Sequence, residues 1–485
     1  MATIDSIMSN SGRNEAMTAK IRLKANDRNG EFRPFVVNHL SNRILKKVID
    51  GFENSKEISL GYSTIDKTKG VTEPTMKKKN LYLTGGALRD HLKNKTFSTY
   101  DCSTDASPDE MRLILKSKYC NLTEVKPDTH DLEILNQYKK LPNKENKKEV
   151  FYASRWDANN REMEFSVEID GQIIHIGSFN INNKNRMLTP KFRKLVTTIE
   201  QDSTTRDLTI DSLYLKLKNN EGENSELYDP QGGAYDLKNG IINTVRKIEK
   251  AFDFDPYLPY RIANLASRFA HNRKIPYHIN EIIKETNPSD DVKRHNLKRF
   301  YISSIENFDV PTDIYINNLI HSNLTDKIFP KLKISNPVKD ISNSKLVATA
   351  YILRENQTAK VQDVLSSMGW SKIDIENICR LINLSKFCES KFNPDLIYDL
   401  FAKPLTMSNS IIKQFMTIMG ENKLYENLFK HDFSEIMKKY VEDEDGNRRI
   451  NPIYIKILER IPRTDELEEV RKKAFFNLVR KLVSA

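Results

Sequence analysis

The amino-acid sequence predicts an α+β chain, with strands and helices mixed in the first half and a helical array in the second. Three observations carry that reading. Between Leu81 and Glu110, LYLTGGALRDHLKNKTFSTYDCSTDASPDE runs as strand, double-glycine turn, helix start, second strand and capped helix. From there to about Leu217, β-prone segments alternate apolar and polar residues in period two. Beyond Pro256 strand signals fade, and apolar residues recur at helical spacing to the end.

Residues 1–34 are polar and without pattern, which predicts a mobile arm. Val37, Leu40, Ile44, Val48 and Phe52 then recur at helical spacing, and a lysine-rich loop follows from Lys67 to Lys79. Tyr82 and Leu83 are β-prone, Gly85 and Gly86 permit a tight backbone turn, and Ala87 to Leu92 read as helix. A second strand, carrying Asp101 and with Asp105 on the same face, is expected next. Ser107-Pro108-Asp109-Glu110 is a capping box with proline at the first helical position, and Met111, Ile114 and Leu115 form the buried face of its helix. The stretch 126–161 reads as a charged insertion containing KKLPNKENKK, expected to project from the sheet as a helix or loose loop with a solvated surface. Met163–Asp170 and Ile173–Phe179 read as two strands around an Asp170-Gly171 turn, and Leu213, Leu215 and Leu217 alternate on a further strand. In the helical half, Thr464 caps a last helix whose face is Leu467, Val470, Ala474, Leu478 and Leu482.

Hydrophobic residues make up 38% of the 485 and charged residues 29%, with a net charge of +11. Such a balance suits a polyanionic partner, because each cation seated on a phosphate releases a counterion. Abundant lysine that only solubilises the surface gives the same number, so charge leaves both readings open. Cys102, Cys120, Cys379 and Cys388 have neither paired spacing nor an adjacent histidine, so neither a zinc site nor a disulfide framework is expected. The start of the chain lacks a signal pattern, and no apolar run is long enough to span a bilayer, so the sequence reads as cytoplasmic with no membrane partner.

Chemistry concentrates around the glycine pair. Backbone amides at a turn opening a helix favour an anion such as a triphosphate. The next strand should then deliver carboxylates for Mg²⁺, and it delivers only Asp101. The stretch resembles the head domain of the class II tRNA nucleotidyltransferase (CCA-adding enzyme) and bacterial poly(A) polymerase family, whose pattern is GG-x-x-RD, eight residues, D-x-D and a TDA-like turn. Gly85, Gly86, Arg89 and Asp90 match its first part, Thr99 and Asp101 occupy the two aspartate positions, and Thr104-Asp105-Ala106 match the turn. Thr205-Arg206-Asp207-Leu208-Thr209-Ile210-Asp211-Ser212 is similar to the family's RRDFT-x-NA motif. Asp229-Pro230-Gln231-Gly232-Gly233, followed by Asp236-Leu237 and Ile242, resembles its DP-x-GG-x-x-DL-x-x-x-x-I segment. Asp255-Pro256 matches the entry to an E-D-x-x-R helix that reads the incoming base, although Phe254 stands for its glutamate and Leu258 for its first arginine; Arg261 matches a later arginine. Capping and solubilising a neck helix remains the alternative for Asp255 and Arg261. Ile174-His175-Ile176 is similar to the family's I-E-V strand with histidine in place of glutamate.

The resemblance implies a mixed-sheet nucleotidyltransferase head domain over residues 35–245, followed by an all-helical, RNA-binding neck, body and tail over 246–485. It implies template-independent addition of AMP or CMP, from ATP or CTP, to an RNA 3′ end such as that of a tRNA. In that role Asp101 and Thr99 would face Mg²⁺, while Gly85, Gly86, Arg89, Asp90, Arg206, Asp207, Asp255 and Arg261 would bind nucleotide. Basic residues such as Arg448, Arg449, Arg471, Lys472 and Lys473 would grip RNA through its backbone. The rival is a noncatalytic relative that binds RNA, nucleotide or a protein partner with the same fold, since two family carboxylates are replaced.

Overall fold

The computed structural model describes residues 19–23, 43–60, 64–66, 70–72, 75–95, 99–125, 149–156, 162–169, 172–182, 193–218, 225–286, 294–335, 341, 343–389, 407–422, 440–442 and 448–450. The chain divides into two compact units, Met1–Leu258 with Phe269–Asn272, and Pro259–Arg268 with Arg273–Ala485.

In the first unit the strands are β1 (Ala19–Leu23), β2 (Thr64–Asp66), β3 (Gly70–Thr72), β4 (Leu81–Thr84), β5 (Tyr100–Thr104), β6 (Thr123–Glu124), β7 (Val150–Trp156), β8 (Glu162–Ile169), β9 (Gln172–Ser178), β10 (Asn180–Asn182), β11 (Arg193–Leu195), β12 (Tyr214–Lys216) and β13 (Ser225–Asp229). Nine of them form one sheet in the order β1-β13-β12-β4-β5-β9-β8-β7-β6. β5 runs parallel to β9 and β6 parallel to β7, while the other pairs are antiparallel, so the sheet is mixed. One face is apolar: Leu81, Leu83, Cys102, Phe151, Phe165, Val167, Ile174 and Ile176 are all buried. Helix Pro108–Lys116 buries Met111, Ile114 and Leu115, and packs against β8. Helix Arg43–Glu53 packs beside it, close enough that a Cβ on Gly51 would meet Ile114 and Cys120. Both helices present the stripe that their apolar spacing predicts.

The second unit is helical over most of its described length. Its helices include Tyr277–Thr286, Arg294–Ile305, Thr312–His321, Lys345–Leu353, Thr358–Ser367, Lys372–Glu389 and Asn409–Ile418. The core holds Tyr301, Tyr315, Phe329 and Phe387, with the Tyr301 and Phe329 rings edge to face at 5.2 Å. Asn318 is buried there without a lost hydrogen bond: its amide nitrogen donates to Ser267 Oγ (2.9 Å) and the Arg273 carbonyl (3.0 Å), and its oxygen accepts from the Ile275 amide (3.3 Å). Among the described residues no helix is long and apolar enough to cross a membrane.

Four segments depart from the sequence reading. Within the lysine-rich loop expected at Lys67 to Lys79, Gly70–Thr72 is a strand paired antiparallel with Thr64–Asp66. Within the expected arm, Ala19–Leu23 is a strand paired antiparallel with Ser225–Asp229. Its Ala-Lys-Ile-Arg-Leu alternation is period two, and pairing satisfies an edge that β13 would otherwise expose. Within the expected insertion, Val150–Trp156 is a sheet strand; Val150, Phe151 and Tyr152 are β-prone, and the flanking charge hid them. In the helical half, β14 (Tyr440–Glu442) and β15 (Arg448–Ile450) form a hairpin, on either side of an Asp445-Gly446-Asn447 sequence suited to a turn. The pairing of Ile169 with Gln172 bears out the hairpin between β8 and β9. Asp170-Gly171 themselves, the KKLPNKENKK run and the helix expected after Thr464 lie outside the described residues.

Candidate active site

Alternation along β5 and β9 sends Asp101, Ser103 and His175 to the face of the sheet opposite the buried apolar one. The β8 register adds Ser166 opposite His175, and Glu164 opposite Gly177. The first helix starts at Gly85 itself, two residues before the expected Ala87. Gly85 has φ +62°, the left-handed region that glycine enters at no steric cost. Thr84 at the cap position makes no side-chain bond to the helix; its hydroxyl donates instead to the Leu213 carbonyl (2.7 Å). The opening turn of helix Gly85–Leu92 is therefore left without a side-chain cap, the arrangement that receives anions.

Asp101 and Arg206 both reach this turn. A Cβ placed on Gly85 would lie 3.9 Å from the Asp101 carboxylate and 3.9 Å from an Arg206 guanidinium nitrogen. Burial pushes the Asp101 carboxyl above its ordinary range, and Glu164 and Asp211 add to that; His175 and Arg206 oppose it without reversing the direction. Arg206 lies in the loop after helix Ile199–Ser203. Its Nη2 donates to Ser103 Oγ (2.8 Å) and Asp202 (3.0 Å), and its Nε donates to the Tyr214 hydroxyl (3.3 Å). Tyr214 in turn donates to the same Asp202 oxygen at 2.7 Å. Although burial works against the guanidinium charge, Tyr214 and Asp202 hold it firmly protonated.

Arg89 takes a different position from the one expected. Its residue is 7% exposed, Nε donates to Asp90 (2.8 Å) and Nη1 to Asp211 (2.5 Å), so its donors meet carboxylates rather than an open cleft. Its guanidinium stacks over the Phe269 ring at 5.1 Å and lies against the start of the helix, where a Cβ on Gly86 would meet Nη2 at 3.3 Å. Asp90 is buried as the partner of Arg89. Asp211 occupies the asparagine position of the second motif, so its acid was visible in the sequence while its partner was not. Asp202, Tyr214 and Ser166 carried no local signal.

The remaining candidates divide. Thr99 is half-buried directly before β5, two residues from Asp101. Asp207 gives its carbonyl to the Val245 amide. Asp105 is excluded as a replacement ligand: its carboxylate accepts from the Asn80 backbone (2.8 Å) and side chain (3.1 Å). Asp255 is buried at the end of helix Ile248–Phe254, where its carboxylate accepts from the Tyr257 amide (3.0 Å) and shapes the turn into the next helix. Arg261 belongs to the second unit. In the third motif Gly232 has φ +74°, but Gly233 is needed for a different reason, since a Cβ there would strike the Thr209 carbonyl. Asp229, whose role the sequence reading missed, caps helix Gly233–Asn239 by accepting from Gly233 N (2.7 Å) and Ala234 N (3.0 Å).

Mg²⁺ is the ion that the resemblance implies for this face of the sheet. Magnesium asks for hard oxygen donors in a near-octahedral arrangement. The face offers the Asp101 carboxylate, the Thr99 hydroxyl nearby and an imidazole at the position of the third carboxylate. Among the described residues no group of three or more His, Cys, Asp or Glu is placed to hold a metal ion. These residues do not fit Mg²⁺.

Residues 81–243 match the family described as the Poly A polymerase head domain. A Multifunctional CCA protein of Tolumonas auensis is 40% identical over 74 residues, 15% of this chain and 16% of that protein. The chain spans about a third or less of the length of the curated relatives it matches. A CCA-adding enzyme in an apo form aligns with a TM-score of 0.53 at 17% identity, over 83% of this chain and 88% of that one. The CCA-adding enzyme of Bacillus stearothermophilus in complex with CTP aligns with a TM-score of 0.52 at 13% identity, over 83% and 89%. At these identities the structural likeness is one of fold. Residues 81–243 therefore match the poly(A) polymerase head domain family, on a chain that shares the fold of the CCA-adding enzymes.

Proposed function

We propose that this chain transfers a nucleoside monophosphate from ATP or CTP to the 3′ hydroxyl of an RNA. The hydroxyl oxygen attacks the α-phosphorus, the bond to the bridging oxygen breaks, and pyrophosphate leaves. The observation that carries the reading is the convergence of Asp101 and Arg206 on the uncapped turn at Gly85. Backbone amides and Arg206 receive the triphosphate, and Asp101 orients the hydroxyl and accepts its proton. A solved relative in complex with ATP and one with CTP support the choice of substrates. Arg89 acts beneath the site by holding Asp90 and Asp211. The family generally uses divalent metal ions, and Mg²⁺ is the ion the resemblance names; because the donor set does not fit Mg²⁺, no step above is routed through that ion.

The test is incorporation of labelled ATP and CTP into a tRNA transcript and into oligoadenylate. Wild type is expected to extend at least one of them, and Asp101→Ala to lose about 100-fold or more, the scale of a lost general base. A wild type that binds ATP but extends nothing, with extension appearing in Thr99→Asp, would replace this reading with the noncatalytic one that the lost carboxylates favour.

A further inference from the structure

The polar face of the sheet carries a donor pair of mixed hardness. Asp101 and His175 stand opposite one another in the parallel register of β5 and β9, so both side chains leave the same face. Neighbouring strands are about 4.8 Å apart, which puts carboxylate and imidazole within reach of one ion. The imidazole is also held from behind. His175 Nδ1 lies 2.8 Å from Ser166 Oγ, and Ser166 is its register partner on the next strand and 1% exposed. In the tautomer whose Nδ1 donates to that hydroxyl, Nε2 keeps its lone pair; such an outer bond is the usual way a ligating histidine is oriented.

We propose that Asp101 and His175 together seat a divalent transition-metal ion, so that this site takes Mn²⁺ or Co²⁺ in preference to Mg²⁺. A nitrogen donor is poorly matched to magnesium but acceptable to first-row transition ions, whose affinity for mixed nitrogen and oxygen sites rises along the series from Mn²⁺. Glu164, the other carboxylate on this part of the face, is engaged by Ser154 (3.2 Å) and Arg155 (3.3 Å), which leaves Asp101 as the acid beside His175. The assignment rests on the nucleotidyl-transfer reading only for the triphosphate oxygens that would complete the ion's shell.

The experiment is a Mn²⁺ titration of the full chain followed by electron paramagnetic resonance, with Mg²⁺ as competitor and imidazole-nitrogen coupling read from electron spin echoes. Wild type is expected to show that coupling and to resist displacement by Mg²⁺. His175→Ala should lose the coupling and about tenfold or more of Mn²⁺ affinity, and His175→Glu should shift the preference toward Mg²⁺ by a similar factor. Absence of nitrogen coupling in wild type, a readout that requires no variant to fold, would overturn the assignment, as would coupling retained in His175→Ala. Coupling without nucleotide incorporation under any ion would remove the proposed reaction and keep the metal seat. Incorporation without histidine-dependent coupling would do the reverse.

Discussion

Arg206 takes its direction from groups that are distant in sequence or were silent in it. Asp202 accepts from both Arg206 and Tyr214, and the Tyr214 hydroxyl accepts from Arg206 Nε, so the guanidinium is fixed before any ligand arrives. Removing that hydroxyl in Tyr214→Phe costs a hydrogen bond of about 0.5–1.5 kcal/mol, up to roughly tenfold. If Arg206 grips the triphosphate, the loss is expected in the KM for ATP with little change in kcat; a fall in melting temperature with KM unchanged would assign Tyr214 to packing alone. Arg89 behaves differently, because it is itself buried, with Asp90 buried and Asp211 half-buried against it. Arg89→Ala leaves Asp90 and Asp211 without their cation and is expected to cost about 3–5 kcal/mol by urea unfolding, the usual result of breaking a buried pair. Arg89→Lys should recover only part of this, since an ammonium cannot reproduce two directed bonds to two carboxylates. A large loss of nucleotide affinity in Arg89→Lys at unchanged stability would return Arg89 to the triphosphate.

At the scale of elements, the parts legible in the sequence are those whose cause is local. Ser107 and Glu110 form the reciprocal cap that their spacing announces: the Ser107 amide donates to the Glu110 carboxylate (2.8 Å), and the Glu110 amide donates to Ser107 Oγ (3.3 Å). The β8–β9 hairpin followed equally from alternation about an Asp-Gly pair. What stayed hidden depended on distant partners. β1 is five residues whose pairing partner lies some 200 positions away, at Ser225–Asp229. The charged flank of β7 outweighed its β-prone centre, and Gly233 is required by the Thr209 carbonyl rather than by its own dihedral angles. Within the site, Asp101 and the glycine turn were legible from one motif, whereas the Arg206 network and the Arg89–Asp211 pair needed the fold to assemble them. The cap also sets a pH dependence. Burial pushes the Glu110 carboxyl up, but Lys79 at 2.8 Å and the Ser107 amide outweigh it and hold the carboxyl below its ordinary value. A lowered folded-state value stabilises above the ordinary carboxylate range and ceases to do so as pH falls through it. The stability difference between wild type and Glu110→Gln should therefore be full at neutral pH and close as pH drops below about 4. Urea midpoints of the two proteins along a pH series would show it, and a difference that stays constant would refute the linkage.

For the whole molecule, the open question left by composition is what the net charge of +11 does. Charge that only keeps the surface solvated does not seek phosphates in particular, and RNA affinity then responds weakly to salt. Charge that engages an RNA backbone releases counterions on binding, and the logarithm of affinity falls by about 0.7 per phosphate engaged for each unit of log salt on a single strand. The proposed reaction needs a 3′ end held long enough for attack, which a single ion pair at the surface does not provide, since such pairs are worth about 0–1 kcal/mol. Several phosphates must be gripped at once, and a slope steeper than about −3 is expected from fluorescence anisotropy of a labelled RNA 3′ end titrated across salt. ATP binding measured in the same buffers separates the two contributions. It should weaken less steeply than RNA binding, because backbone amides at Gly85 do not exchange counterions and Arg206 supplies one fixed charge. An RNA slope near that of ATP would assign the excess lysine and arginine to solubility and remove RNA-backbone recognition from the proposal.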